Sequence, residues 1–341
     1  MQKIVYIGNK LSGHGFTPTT IDTLTPSLKQ LGYEVVTASE KQGKLQRLTD
    51  MVGTILRHKD ADAVLIDTYS TSAFYFAYIC ARLCKWLGLK YIPILHGGNL
   101  PARFQQSPRL VQTIFSNSFT NVAVSPYLLQ LLKDYGYKHT LIENSIELDN
   151  YPFRLRTQAN PNIMWVRAFD KIYAPDMAIR VFRNVKELYE GATLTMVGPD
   201  KDGSMAKCKA LAEDLELKQS VRFTGKLNKP DWIKIANEAD VFLNTSMFDN
   251  LPVSILEAMA LGMVIVSTNA GGIPYFINDG QQALLNNVND IEAMTDNVLN
   301  VLAGSANVAM LSSNARKAAE NYDWVKVKSK WVSLFDNLPG K

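Results

Sequence analysis

The chain has 341 residues, of which 47% are hydrophobic and 20% charged, and its net charge is +4. The length suggests two domains that each bury a core, and the composition is that of an ordinary globular protein. Three cysteines exclude a disulfide framework, and no apolar run approaches the roughly 20 residues that a membrane span needs.

A cytoplasmic location is expected, because the cysteine content suggests a reducing compartment and Met1 leads directly into a predicted strand without a signal peptide. Residues 1–150 hold 15 Lys and Arg against 11 Asp and Glu, whereas residues 151–341 hold 21 of each. The basic first half fits peripheral contact with the inner face of an anionic membrane or with a phosphate-bearing ligand. Chance variation in a small number of charged residues is the alternative explanation for this difference between the halves.

Short β-rich runs alternate with helical stretches in the first half, which is typical of a parallel α/β sheet. The predicted strands are Ile4–Ile7, Glu34–Thr37, Ala63–Ile66, Tyr91–Leu95, Asn121–Val124 and Thr140–Ile142. The predicted helices cover residues 18–31, 44–58, 71–87, 108–116 and 126–135.

A glycine-rich loop, Gly8–Gly15, follows the first strand. Glycines let backbone amides approach a phosphate closely, although the spacing here matches neither the dinucleotide fingerprint nor the P-loop. An ordinary strand-to-helix turn is the alternative interpretation. His14 in this loop is either a ligand contact or an exposed loop histidine.

His96 is followed by two glycines and comes directly after the strand Tyr91–Leu95. A histidine at the carboxyl end of a central strand points to where ligands bind in such sheets. A histidine satisfied within the core is the alternative. Because no acidic partner is evident in the sequence, we do not predict His96 to be a nucleophile.

A polar, proline-punctuated stretch near residues 150–161 reads as a linker, which predicts domains at 1–155 and 156–321. The second set of predicted strands is Ile163–Val166, Thr193–Val197, Val221–Phe223, Val241–Asn244 and Val264–Ser267. The second set of predicted helices covers residues 175–190, 204–215, 230–238 and 253–261, with an amphipathic last helix at 322–337. The predicted architecture is two Rossmann-like doubly wound parallel-sheet domains that face each other across a cleft.

Arg167 and Lys171 follow the first strand of the second domain. Two cations just past a strand end suit a leaving diphosphate, because they stabilise the negative charge that builds on it. For Lys171 a plain surface lysine is the alternative.

Two acidic residues, Asp249 and Glu257, flank the start of an apolar helix that Gly262 ends. Pro252 lies where that helix begins, a position at which the missing amide hydrogen costs nothing. Asp249 therefore lies on a loop at the helix start and Glu257 about a turn and a half inside. The free amides of the helix start can face an anion or a sugar hydroxyl.

The segment from Asp249 to Gly262 resembles the signature of retaining nucleotide-sugar glycosyltransferases of glycosyltransferase family 4, which have the GT-B fold. The resemblance implies that Asp249, in place of the usual Glu, binds the donor sugar and that Glu257 binds the nucleotide ribose. It also implies that Arg167 and Lys171 hold the diphosphate, although the family spaces its Arg and Lys one residue further apart. The donor sugar would also contact the four residues that follow Asp249, which are Asn250, Leu251, Pro252 and Val253. All of these except Pro252 would donate a backbone amide hydrogen to it.

In the first domain the resemblance implies an acceptor site. Gly15 is the expected close-approach position beside the donor pyrophosphate, and His96 lies near the transferred sugar. The last helix is expected to pack back on this domain. Gly271 and Gly272 match a loop of the same family, for which we favour a structural role.

The function that the resemblance implies is a retaining glycosyltransferase of the hexosyltransferase type. It would move a sugar from a UDP- or GDP-linked donor to a hydroxyl of a glycan or lipid-linked acceptor in surface polysaccharide or glycolipid synthesis. No further cofactor, metal or nucleic acid is expected. The alternatives are a nucleotide-sugar epimerase or a phosphorylase on the same fold and a catalytically silent nucleotide-sugar-binding protein. A nicotinamide-dependent oxidoreductase is excluded, because no strand is followed by the dinucleotide fingerprint with an acidic residue about 20 positions on.

Overall fold

A computed structural model describes residues 1–14 and 18–339. These residues form two compact units. The first comprises Met1–Glu143 with the end of the chain from Lys330, and the second is Asn144–Ser329.

The first unit is built on a six-stranded parallel sheet with the order β2-β1-β3-β4-β5-β6. Its strands are β1 (Lys3–Ile7), β2 (Glu34–Ala38), β3 (Ala63–Thr68), β4 (Tyr91–Leu95), β5 (Val122–Ala123) and β6 (Thr140–Leu141). Every residue of the central strands β3 and β4 is buried. Strands buried along their whole length are expected where helices cover both faces of a parallel sheet.

In the described part of the first unit, six α-helices lie wholly within it: α1 (Thr20–Gln30), α2 (Lys44–Arg57), α3 (Phe74–Trp86), α4 (Leu100–Gln106), α5 (Pro108–Phe115) and α6 (Pro126–Asp134). Of these, only α4 has no counterpart among the predicted helices. It is a seven-residue helix whose N-terminal residues include Pro101. The glycines before its start and the proline within its first turn are typical of a turn, so the sequence pattern does not predict this short helix.

The second unit has a six-stranded parallel sheet with the order β12-β11-β10-β7-β8-β9. Its strands are β7 (Asn162–Val166), β8 (Thr193–Val197), β9 (Val221–Gly225), β10 (Val241–Asn244), β11 (Val264–Thr268) and β12 (Ala283–Asn286). Its helices are α7 (Pro175–Leu188), α8 (Ser204–Asp214), α9 (Lys229–Ala236), α10 (Val253–Ala260), α11 (Ile291–Leu302) and α12 (Val308–Ala319). The edge strand β12 and the helices α11 and α12 were not predicted.

The two compact units divide between Glu143 and Asn144, whereas the predicted domain boundary lies at 155/156. Side-chain bonds attach residues 154–160 to the rest of the second unit. Arg156 is only 1% exposed, and its guanidinium donates to the carbonyl of Ala239 at 2.8 Å and to Asp240 at 3.3 Å. Asp240 also pairs with Arg154 at 2.5 Å.

The last helix, α13 (Trp324–Asp336), begins in the second unit, and its residues from Lys330 group with the first. There Gln2 Nε2 donates to the carbonyl of Phe335 at 3.1 Å, and the Tyr33 and Phe335 rings lie 4.9 Å apart. No helix within residues 1–14 and 18–339 combines the length and the apolar character that a membrane crossing requires.

Candidate functional site

Two charged side chains meet where neighbouring strands of the second unit end. Arg167 follows β7 and Asp249 follows β10, and β7 and β10 are parallel partners. The Arg167 guanidinium forms an ion pair with the Asp249 carboxylate, and these side chains are 17% and 14% exposed. The structure thus brings together a cation and an acid that the sequence assigned to one ligand site.

The surroundings of Arg167 fix its position and affect its charge. Its guanidinium lies over the Tyr173 ring, 4.7 Å from the centroid. Burial lowers the pKa of Arg167, whereas nearby Tyr173 and Glu257 act to raise it. A Cβ atom at Gly198, whose φ is +151°, would come within 1.7 Å of the Arg167 carbonyl oxygen. Glycine at that position therefore allows the backbone approach that places Arg167.

The loop that carries Asp249 is held by close backbone packing. A Cβ atom on Gly271 would lie 2.2 Å from the carbonyl oxygen of Asp249, and one on Gly272 would lie 2.1 Å from that of Asn250. The Gly272 amide donates to the Asp249 carbonyl at 2.9 Å. The two glycines therefore support the acidic loop structurally.

Glu257 lies inside α10 and is 5% exposed. The Tyr151 hydroxyl donates to its Oε1 atom at 2.8 Å, and Lys229 forms an ion pair with the same oxygen. The Lys229 ammonium also lies 5.5 Å from the centroid of the Trp232 ring. Two donors on one oxygen fix the position of this buried carboxyl group.

Three residues of this region were missed by the sequence reasoning: Tyr151, Lys229 and Ser254. Ser254 is 8% exposed, and within the described ranges its hydroxyl has no hydrogen-bond partner. It lies three positions before Glu257 on α10, so the i, i+3 rule for helix faces could have found it. Tyr151 and Lys229 lie 106 and 28 residues from Glu257, and no sequence pattern connects them to it.

The four residues after Asp249, which the resemblance assigns to the donor sugar, differ in their bonding and burial. The Asn250 amide donates to Asp249 Oδ1 at 2.9 Å, so this predicted sugar donor is already engaged. Leu251 is buried. Pro252 occupies the N-cap position and Val253 is the first helical residue. The first amides of a helix have no partner within it, so that of Val253 can donate to a ligand.

Lys171 lies on a short 3-10 turn after β7 and is exposed. Its backbone amide donates to Asp202 at 3.2 Å. The carbonyl of the next residue, Ile172, accepts from the Met247 amide at 2.8 Å, which ties this turn to the loop before Asp249. The phosphate-binding role of Lys171 stays a prediction.

In the first unit the structure corrects one inference about His96, because this histidine does have an acidic partner. Its Nε2 atom lies 2.7 Å from Asp67 Oδ1, and its Nδ1 atom lies 3.3 Å from the Thr20 hydroxyl. Asp67 is the fifth residue of β3 and lies 29 positions before His96, too far for a local motif to reveal. Gly15 lies outside the described residues.

No group of three or more His, Cys, Asp or Glu side chains in the part of the chain that the structure describes is placed to hold a metal ion.

The two six-stranded parallel sheets define an α/β protein with the GT-B fold, which confirms the predicted fold class. Sucrose-phosphate synthase from Thermosynechococcus elongatus matches with a TM-score of 0.81 and 15% identity, over 99% of each chain. Anabaena HepE in complex with UDP and glucose matches with a TM-score of 0.76 and 15% identity, over 98% of this chain and 100% of that one.

Residues 150–318 match the family model described as "Glycosyl transferases group 1", and this segment contains Arg167, Asp249 and Glu257. The amylovoran biosynthesis glycosyltransferase AmsK of Erwinia amylovora is 29% identical over 253 residues, which cover 70% of this chain. The chain spans 61% of AmsK and 42% of a D-inositol 3-phosphate glycosyltransferase from Corynebacterium urealyticum. The family match therefore lies wholly within the second unit.

Proposed function

We propose that this protein is a retaining glycosyltransferase of family 4 and of the hexosyltransferase type. Its donor is a UDP- or GDP-linked sugar, and its acceptor is a hydroxyl of a glycan or lipid-linked sugar. The observation that carries the proposal is the arrangement in the second unit, where Arg167 pairs with Asp249 next to the helix that holds Glu257. This arrangement offers a cation for phosphate and two carboxylates for hydroxyl groups.

Each side chain has a role that follows from its surroundings. The Arg167 guanidinium, with Lys171 as its companion, binds the diphosphate and stabilises the charge that develops as the sugar–phosphate bond breaks. A buried guanidinium is effective here because its field is screened less than in water. Asp249 and the amides that follow it hold the sugar, and the Glu257 carboxylate accepts hydrogen bonds from the ribose.

The bonds and protons of the proposed transfer balance without a further reagent. The bond between the anomeric carbon and the phosphate oxygen breaks, and its electron pair leaves with the diphosphate. The acceptor oxygen forms the new bond on the same face, and its proton passes to the departing phosphate, which preserves the anomeric configuration. Because Arg167 and Lys171 neutralise the leaving group, the proposal requires no divalent metal.

Two similarities support the donor and the pathway. HepE, which has the same fold, binds UDP and glucose, and AmsK acts in amylovoran biosynthesis. We therefore propose a role in surface polysaccharide or glycolipid synthesis. The proposal places the protein in the cytoplasm, with peripheral contact to the inner face of an anionic membrane through the basic residues of 1–150.

Thermal unfolding with a panel of nucleotides and nucleotide sugars, without metal, tests the donor site first. A ligand at about 100 times its Kd adds about 2.7 kcal/mol to the free energy of unfolding. We expect a selective shift with one nucleotide sugar that is lost in Glu257→Ala. A panel without any shift would count against the donor site.

Transfer itself is then tested with that donor and a set of glycan and lipid-linked acceptors. Release of nucleotide that depends on the acceptor, with a product of unchanged anomeric configuration by NMR, is the expected result. A product of inverted configuration would exclude the retaining mechanism. Binding without any turnover would instead identify a silent nucleotide-sugar-binding protein.

A further inference from the structure

The first unit contains a buried acid–histidine pair that the family resemblance does not assign. Asp67 near the end of β3 and His96 directly after β4 lie on adjacent parallel strands, in which Asp67 is paired with Ile94. The side chains of Asp67 and His96 are 1% and 6% exposed, and their Oδ1 and Nε2 atoms lie 2.7 Å apart. This short contact between two buried side chains fixes the positions of the carboxyl group and the imidazole ring.

Asp67 is constrained from several sides. Its Oδ1 atom also accepts a hydrogen bond from the Tyr6 hydroxyl at 2.9 Å. Its Oδ2 atom is buried and, within residues 1–14 and 18–339, has no hydrogen-bond partner. Gly8 covers that oxygen so closely that a Cβ atom there would lie 2.4 Å from it. A carboxylate held in this way is a fixed hydrogen-bond acceptor, because it cannot turn away from the ring.

The acceptor on Asp67 decides which nitrogen of His96 carries the proton. A carboxylate accepts hydrogen bonds, so His96 Nε2 donates to it, and in the neutral ring Nδ1 then keeps its lone pair. The Nδ1 atom lies 3.3 Å from the Thr20 hydroxyl, a long contact for an O–H donor. The Tyr69 ring stacks on the imidazole with the two centroids 5.2 Å apart, which holds the ring in this orientation.

We propose that Asp67 is a positioning residue that sets His96 to accept a hydrogen bond at Nδ1 from a hydroxyl of the acceptor substrate. The incoming hydroxyl takes the place of the weakly bound Thr20 hydroxyl. This inference rests on the proposed transferase function and adds to it a named acceptor-binding atom in the first unit. Asp67 acts only through the ring and does not touch the substrate.

The tautomer of His96 tests the proposal without any need for turnover. The chain has four histidines, so ¹⁵N-histidine labelling gives a simple spectrum, and His96→Gln identifies the His96 signals. At pH 8 we expect the wild type to show a protonated Nε2 and an unprotonated Nδ1. In Asp67→Asn, whose amide can donate to Nε2, and in Asp67→Ala, that preference is lost. Asp60→Asn, at an exposed acid of the same unit, is the matched control and leaves the His96 signals unchanged.

A panel of methyl glycosides then serves as a hydroxyl-bearing probe. At least one member is expected to displace the Nδ1 signal in the wild type and none in Asp67→Asn. With a working donor and acceptor, Asp67→Asn should raise the acceptor KM about tenfold and leave the donor Kd within twofold of the wild type. The proposal is overturned by a His96 tautomer that is the same in all variants, by a doubly protonated ring at pH 8, or by an Nδ1 signal that no glycoside moves.

Failure of the proposed function gives a different pattern. If no nucleotide sugar binds the wild type while the tautomer depends on Asp67 and a glycoside moves Nδ1, the donor site is wrong and the positioning role stands.

Discussion

The two units share one arrangement of side chains, and this arrangement suits a different ligand group in each unit. Each has a six-stranded parallel sheet, and each brings an acid and a basic side chain together where adjacent strands end. In the first unit the pair is Asp67 with His96, and in the second it is Asp249 with Arg167. The first pair is more deeply buried, and a histidine ring nitrogen can accept a hydrogen bond, whereas an arginine guanidinium only donates. A fixed acceptor suits a hydroxyl, and a fixed cation suits a phosphate.

Sheet topology can thus build similar pairs from unrelated residues. Neighbouring parallel strands deliver their following loops to one edge, so any acid and base placed there can meet. What differs is how strongly the rest of each unit holds its pair in place.

The largest expected effect concerns Asp240, the buried acid that holds residues 154–160 to the second unit. Asp240→Ala leaves the buried Arg156 guanidinium without its carboxylate partner, which should cost about 3–5 kcal/mol of stability. Hydrogen exchange read by mass spectrometry should show the loss in β7–β12 and not in β1–β6. Asp214→Ala, at an exposed acid of α8, is the control and should change stability by no more than about 0.5 kcal/mol.

The contribution of Asp240 also depends on pH. Burial by itself acts to raise the pKa of Asp240, but hydrogen bonds from Asn160 and Arg154 outweigh it and hold the pKa below the usual value. A carboxyl with a depressed folded-state pKa stabilises above its unfolded pKa of about 3.9, and that stabilisation is lost as pH falls through the lower folded value. The gap between wild type and Asp240→Ala in free energy of unfolding should be constant near neutral pH and narrow below about pH 4. A gap that narrows already between pH 6 and 8 would contradict this assignment.

The next effect concerns the cation of the second pair. Arg167→Ala should lower kcat more than about 100-fold, the scale of losing one group that stabilises transition-state charge. Arg180→Ala, at a half-exposed arginine of the same unit, should leave kcat nearly unchanged. Steady-state turnover with saturating donor and acceptor is the measurement. Equal rates in the two variants would remove Arg167 from the site.

A smaller effect is expected at the buried acid of α10. Glu257→Gln keeps the shape of the side chain and removes its charge, which should weaken nucleotide binding about tenfold, because hydrogen bonds to charged groups are stronger than neutral ones. Isothermal titration with UDP or GDP measures the Kd. Glu292→Gln, at an exposed position of α11, is the control. An unchanged Kd in Glu257→Gln would show that the ribose lies elsewhere.

The smallest effect separates crowding from backbone strain in the loop that supports Asp249. Gly271 and Gly280 both have positive φ, +54° and +69°, but of these two positions only Gly271 is so crowded that an added Cβ atom would meet other atoms of the protein. Alanine at Gly280 should cost about 1 kcal/mol, the strain of a left-handed residue, and alanine at Gly271 should cost more and also weaken donor binding. Thermal unfolding and nucleotide titration of both variants make the comparison. Equal losses of stability and affinity would argue against a supporting role for Gly271.

Local patterns predicted most of the fold. Runs such as Tyr91–Leu95 and Val264–Ser267 are apolar and bounded by turn residues, so their identity as buried strands follows from the sequence alone. The short helix α4 and the edge strand β12 were missed because a seven-residue helix and a four-residue strand carry too little periodicity. The two units divide earlier than the predicted domain boundary, since Arg154, Arg156 and Asn160 of the polar stretch before β7 bond to Asp240.

The sequence by itself determined the elements whose signals are contiguous: the alternation of strands and helices, the acidic residues that flank α10, and the cations after β7. Only the tertiary structure decided which side chains meet. The contacts of Asp67 with His96, of Arg167 with Asp249, and of Tyr151 and Lys229 with Glu257 join residues 28 to 106 positions apart. Sequence spacing reports contacts only within one helix or strand, whereas the order of strands in a sheet sets which distant loops share an edge.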